Sequence, residues 1–258
     1  MSLLKKTAVV TGSTSGVGLS VAKAYAARGA NVILNGFGNV DGALKEVQSI
    51  SKGEVVYIGA DMSSPNDIES MMSDSSKKFG GVDIVVNNAG IQHVEKVEDF
   101  PVSKWDSIIA INLSSAFHTT RLAMPHMKAR NWGRIINIAS THGLVASVGK
   151  SAYVASKHGI IGFTKAVALE TAKTGITCNA ICPGWVLTPL VQAQIDAVVQ
   201  RDALSDAEVK EQFLKEKQPS GNFVTAEQLA SLAMYLSSDD ASEVRGVSWN
   251  MDGGWVSQ

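Results

Sequence analysis

From its first residues the chain alternates between short runs of apolar, β-branched residues and longer stretches where apolar positions recur every three or four residues. Thr7–Thr11, Asn31–Asn35, Glu54–Ile58, Asp83–Val86, Arg134–Ala139, Ile176–Ile181 and Gly246–Asn250 read as strands. Stretches near 17–28, 40–51, 66–79, 103–129, 151–173 and 225–237 read as helices. The strands are almost continuously apolar, the pattern of parallel strands buried on both faces. Strand–helix alternation with right-handed crossovers predicts an α/β fold of the Rossmann type: a doubly wound, seven-stranded parallel sheet with helices on both faces. No Pro- or Ser-rich linker and no internal repeat breaks the rhythm, so residues 1–258 are expected to form a single domain. One stretch departs from it. About 189–222 is helical but delays the next strand, and such an insertion is expected to cover the binding cleft as a lid.

Composition narrows the function classes. Lys plus Arg number 23 and Asp plus Glu 24, so the formal charge is −1 and no basic excess marks a nucleic-acid partner. Hydrophobic residues make up 45% and charged residues 18%, a globular balance. No apolar run approaches the roughly 18 residues of a membrane span, and Met1–Val10 has no leader-like apolar stretch. The expectation is a soluble, cytoplasmic protein with no membrane partner. Cys178 and Cys182 are the only cysteines. Four steps along the strand part their Cα atoms by about 13 Å, whereas a disulfide tolerates about 7 Å. They read as inert buried thiols, and no His or second Cys pair beside them suggests a metal.

The candidate chemistry begins at the first strand–helix junction. Gly12-Ser13-Thr14-Ser15-Gly16-Val17-Gly18 lets the backbone turn sharply and approach a pyrophosphate at a helix N-terminus. Polar residues follow later strands: Asp61-Met62, Asn87-Asn88-Ala89-Gly90 and Ser140. Tyr153 and Lys157, four apart on a helix, share a face. A Tyr hydroxyl titrates near pH ~10, so a neighbouring ammonium is expected to lower its pKa and make it a usable base. Taken singly, a Tyr packed over a Lys stem is the more ordinary arrangement.

Together, Gly12-x₃-Gly16-x-Gly18, Asn87-Asn88-Ala89-Gly90, Asn112, Ser140, Tyr153-x₃-Lys157 and Pro183-Gly184 resemble the short-chain dehydrogenase/reductase family over essentially the whole chain. The resemblance implies that Tyr153 is the general acid/base and Lys157 its modulator, which also holds the nicotinamide ribose. It implies that Ser140 polarises the substrate oxygen and that Asn112 supports a relay water. It further places Asn88, Ala89, Gly90, Asp61 and Met62 beside the adenosine half, with Pro183, Gly184, Val186 and Thr188 around the carboxamide. Family members are mostly homotetramers that pair through the helices near 103–129 and 151–173.

The second strand ends Asn35-Gly36-Phe37-Gly38-Asn39, without the acid usual for NAD and without any Lys or Arg. A 2′-phosphate lacking a cation is costly to bury, so NAD is the expected cofactor, with Phe37 beside it. For the substrate, Gln92, His142, Lys150 and Gln194 are expected to converge as donors to a carboxylate, with His142 joining as a cation in mild acid. Trp185 and Trp255 would close the pocket around a few carbons. The segments 88–93, 139–147 and 182–185, with Lys150, Lys-Gln-Pro at 217–219 and Asp252-Gly253-Gly254-Trp255, resemble the branch of the family that oxidises (R)-3-hydroxybutyrate to acetoacetate. A carrier-protein 3-oxoacyl reductase, and a nucleotide-binding sensor without catalysis, stay open as alternatives.

Overall fold

The computed structural model describes residues 2–258. Seven strands, β1 (Thr7–Val10), β2 (Asn31–Leu34), β3 (Val55–Tyr57), β4 (Ile84–Asn87), β5 (Gly133–Ile138), β6 (Ile176–Pro183) and β7 (Ser248–Met251), form one sheet. Its order is β3-β2-β1-β4-β5-β6-β7, and every neighbouring pair is parallel. The apolar runs need two covered faces, and they have them. Ala8 and Val10 enter one core while Val9 enters the other, and Ile84 and Val86 are separated from Val85 in the same way.

On one face lie α1 (Gly16–Ala27), α2 (Val40–Ile50) and α9 (Ala226–Leu236); on the other, α3 (Pro65–Phe79), α4 (Val102–Ile109), α5 (Ser115–Arg130) and α6 (Ser151–Glu170). Helix boundaries follow local chemistry. Ser64 caps α3 and Pro65 opens it, and Gly80 ends it at φ 80°. Ser205 and Thr225 form reciprocal capping boxes on α8 (Asp206–Lys217) and α9. The strand order reverses between β1 and β4, and a crevice opens there at the carboxyl ends of the strands.

Two expectations need revision, and a third gains detail. The helix read at 103–129 is divided into α4 and α5 by a wide π turn at Ala110–Ser114, which carries Asn112; such turns widen a helix locally at the cost of its regular bonding. The strand read from Gly246 begins at Ser248, because Gly246 has a left-handed φ of 72° that an extended strand does not accept. The excursion near 189–222 is two helices, α7 (Pro189–Asp202) and α8, joined where Ala203 turns left-handed at φ 54°. Among the described residues no helix is long and apolar enough to cross a membrane, and no group of His, Cys, Asp or Glu is placed to hold a metal ion. Both cysteines are buried free thiols, as expected.

Candidate active site

A cavity of about 360 Å³ runs along the carboxyl ends of the strands, and a smaller one of about 60 Å³ adjoins it; Ser140, Tyr153 and Gly184 line both. Gly12, Thr14, Ser15, Gly16 and Val17 form one wall of the larger cavity, with Phe37, Asp61, Met62 and Asn88–Gly90 beyond them. Tyr153, Lys157, Pro183, Gly184, Val186 and Thr188 also line it, with Thr188 packed close to Gly16.

The glycine loop fits a pyrophosphate for a physical reason. A Cβ at Gly18 would stand 2.4 Å from the Gly12 carbonyl oxygen, so only glycine lets α1 start this close to the loop. Gly18 therefore stands behind the wall and shapes it. Ser15 makes no side-chain cap at the start of α1, and no acid occupies the first turn. Its N–H groups and positive end remain free for an anion. The Asn88 amide donates to the carbonyls of Thr11 (2.9 Å) and Gly12 (3.0 Å), fixing the loop to the end of β4. Asp61 accepts from the backbone and hydroxyl of Ser63, and these bonds hold its pKa below the usual carboxylate range.

At the reaction centre Ser140 follows β5 and accepts the backbone N–H of His142 at 3.1 Å, capping a short turn. Lys157 is buried and donates to the Ile138 carbonyl at 2.8 Å. Burial lowers its pKa to about 8. The Lys157 ammonium lies 5.6 Å from the Tyr153 ring centre. The Tyr153 pKa is nevertheless raised, contrary to the sequence expectation. The surrounding protein desolvates the phenol more than the Ser140 hydroxyl compensates. Asn112 lies on the π turn beside the cleft. It is buried, accepts the Ile91 N–H (2.9 Å), and donates to the Ile91 carbonyl (2.9 Å) and the Ser156 hydroxyl (3.2 Å). Its side chain ties the β4 exit to the catalytic helix, so it is not among the cleft-lining residues.

The smaller cavity gathers Gln92, His142, Lys150, Trp185, Gln194 and Trp255 from segments far apart in the chain. Gln92 Nε2 donates to Gln194 Oε1 at 2.7 Å, and Lys150 Nζ approaches the same oxygen at 3.4 Å. Lys150 also sits 5.0 Å over the Trp185 ring. Burial lowers its pKa to about 8, while Glu216 raises it and Lys217 lowers it. His142 meets the Ser147 hydroxyl at 3.0 Å through Nε2. Burial, reinforced by the charge of Lys150, drives its pKa down to about 4. The expectation of a cationic His142 in mild acid is overturned: a ring enclosed beside an ammonium stays neutral there.

Residues 6–198 match the short chain dehydrogenase family. The chain belongs to that family. This short-chain dehydrogenase is 63% identical over 254 residues to the D-beta-hydroxybutyrate dehydrogenase of Cupriavidus necator, covering 98% of each chain. It is 55% identical over 258 residues to the enzyme of the same name from Rhizobium meliloti, covering 99% of this chain and 100% of that one. A variant of actinorhodin polyketide ketoreductase crystallised with NADPH superposes with a TM-score of 0.90 at 33% identity, over 97% of both chains. A nicotinamide cofactor therefore belongs to the fold and family of this dehydrogenase.

Sequence reasoning quoted Gln218 within Lys-Gln-Pro but gave it no role. Only 1% exposed, it accepts the Trp185 N–H at 2.7 Å and donates to the Asn222 carbonyl. Its position just before Pro219 at the end of α8 was the one visible signal. Leu190 and Val191, which line both cavities, were unmarked.

Proposed function

We propose that this chain catalyses the reversible, NAD-linked oxidation of (R)-3-hydroxybutyrate to acetoacetate. The observation that carries the reading is Lys150: a buried ammonium beside two amides, in a chamber of about 60 Å³ that opens onto Ser140 and Tyr153. A cation kept out of water calls for an anionic ligand, and the size of the chamber limits that ligand to a few carbons. Trp185 and Trp255, with ring centres 5.6 Å apart, supply the apolar closure.

In this mechanism Lys150, Gln92, Gln194 and a neutral His142 hold the carboxylate, and Ser140 donates to the C3 oxygen. Tyr153 takes the hydroxyl proton. When bound, the oxidised nicotinamide supplies the hydride acceptor and a positive charge that favours the phenolate. Lys157 serves the same end, and both offset the burial that raises the Tyr153 pKa. Holding the acid at one end and C3 at the other makes the transfer effectively unimolecular.

NAD, rather than NADP, is supported by the loop after β2. The Phe37 carbonyl accepts from Thr14 Oγ1 at 2.6 Å and the Gly36 carbonyl from the Tyr57 hydroxyl at 2.8 Å, and Asn35–Asn39 contain no cation for a phosphate. The helices α7 and α8 act as a lid on a single domain. The assembly is a homotetramer, whose pairing face includes exposed Val102, Phe117 and Leu169 on α4, α5 and α6. The enzyme works in the cytoplasm, where two unpaired thiols persist.

Initial rates decide the reading. Oxidation of (R)-3-hydroxybutyrate with NAD is expected to exceed reduction of an acetoacetyl thioester with NADPH by at least about a hundredfold, the difference a desolvated ion pair makes. The reverse ranking would assign the chain to carrier-protein 3-oxoacyl reduction.

A further inference from the structure

We propose that Gln218 is a positioning residue for this reaction, a staple at the neck of the lid that sets where Trp185 stands. The proposal rests on the 3-hydroxybutyrate reading and goes beyond it, because Gln218 touches neither cavity.

The chain leaves β6 through Gly184, Trp185 and Val186, forms α7 and α8, and returns through Gln218 to Val224. Departure and return are sewn together at one place. The Trp185 N–H donates to Gln218 Oε1 at 2.7 Å, and the Val224 N–H donates to the Trp185 carbonyl at 2.9 Å. Val186 and Val224 form an isolated parallel bridge. Gln218 Nε2 donates to the Asn222 carbonyl, so both ends of one buried amide are engaged by backbone.

The amide is also wedged. A Cβ on Gly184 would stand 2.5 Å from Gln218 Oε1, and one on Gly253 would stand 2.7 Å from its Cγ. Gly253 opens the turn that brings Trp255 to the chamber. Gln218 therefore meets the β6 exit, the end of α8 and the C-terminal turn at once. Trp185 passes the constraint on: its ring packs 4.9 Å from Phe213 of α8 and 5.6 Å from Trp255, with Lys150 above it. A shift of the Trp185 backbone would move the apolar wall of the substrate chamber and the lid helix together. Residues with this role hold reacting groups in productive geometry, where small displacements are expensive.

Two variants test the assignment. Gln218→Leu keeps the volume and removes both bonds. Gln218→Glu reproduces acceptor and donor when its carboxyl is protonated, which burial favours, and loses the donor when ionised. Hydrogen exchange by mass spectrometry is read over 189–217, and KM and kcat for (R)-3-hydroxybutyrate are read between pH 6 and 8. For Gln218→Leu, amides of the lid are expected to exchange about tenfold faster while the sheet is unchanged, with KM raised about tenfold, the scale of one lost buried hydrogen bond. For Gln218→Glu, the KM defect relative to the unmodified enzyme is expected to shrink as pH falls. A lowered Tm with unchanged lid exchange and KM in Gln218→Leu, or a pH-independent defect in Gln218→Glu, overturns the proposal. If the leucine variant does not fold, the pH series on the glutamate variant decides alone. If the unmodified enzyme ignores 3-hydroxybutyrate, the functional reading fails, and lid exchange still decides the staple.

Discussion

At the β1–α1 end of the cleft, binding is assigned to backbone. Glycines bring main chain close, Asn88 fixes the turn through two carbonyls, and α1 begins without the side-chain cap that α3, α8 and α9 all possess. At the chamber end, binding is assigned to the tips of side chains delivered by separate elements, where Gln92 and Gln194 meet across 102 residues of sequence. The first arrangement suits a ligand part common to a whole family, because a diphosphate asks only for N–H groups and space. The second suits discrimination, because moving one side chain changes what fits. Cofactor and substrate determinants should therefore fail separately when mutated.

The sharpest break comes where the two ends meet. Tyr153→Phe keeps the ring and removes the proton acceptor, so kcat is expected to fall by about 10²–10⁴ while NADH still binds in a fluorescence titration. Near-normal turnover would remove Tyr153 from the chemistry. Next, Lys150→Ala should cost about 3–5 kcal/mol in kcat/KM for the acid by leaving a buried anion without its cation. Cofactor affinity should be unchanged, and the methyl ester, already a poor substrate, should lose little more. Equal losses for acid and ester would make Lys150 structural.

A pH series sharpens the same point without mutation. Lys150 binds the acid as an ammonium, and its pKa in the free protein is lowered to about 8. Affinity should therefore be full below that pH and lost above it. KM is expected to rise about tenfold between pH 7 and 9, with no break near pH 6.5 from His142, whose pKa is about 4. A KM flat across that alkaline range would show that Lys150 does not bind as an ammonium. Gln92→Ala removes a neutral donor to a charged acceptor, and a loss of roughly fivefold to tenfold in kcat/KM is expected. The smallest effect belongs to the cofactor end: Phe37→Arg should improve NADP binding a few-fold by supplying one exposed cation. If the unmodified protein already prefers NADP, the role given to the β2 exit is wrong.

How much of this could be read from the chain follows the same division. The sheet was legible because near-continuous β-branched runs have few ways to be buried, and the glycine loop because backbone turns need fixed spacings. Convergence of Gln92, Lys150 and Gln194 carried no periodic signal and came only through resemblance. Gln218 stood in the Lys-Gln-Pro motif, but its contacts were unreadable for the same reason, since its partners lie 33 residues upstream and 4 downstream. Charge states were also out of reach. The i, i+4 spacing of Tyr153 and Lys157 gave their proximity, but the direction of the Tyr153 pKa depends on how much protein surrounds the phenol. The π turn at Ala110–Ser114 escaped because its residues continue a helical pattern while the bonding changes beneath it.

The shared acceptor in the chamber has one more consequence. Gln194 Oε1 already receives Gln92 and faces Lys150, so it stands in the place of one oxygen of an acid. A carboxylate held there would compete with this neutral oxygen for one N–H of Gln92 and one of Lys150, whose other N–H groups this oxygen does not use. At those two N–H groups the enzyme registers an exchange of one acceptor for a more basic one, and their contribution to binding is the difference between the two. That exchange favours an acid over an amide or ester, since a neutral carbonyl only matches the occupant it would have to replace.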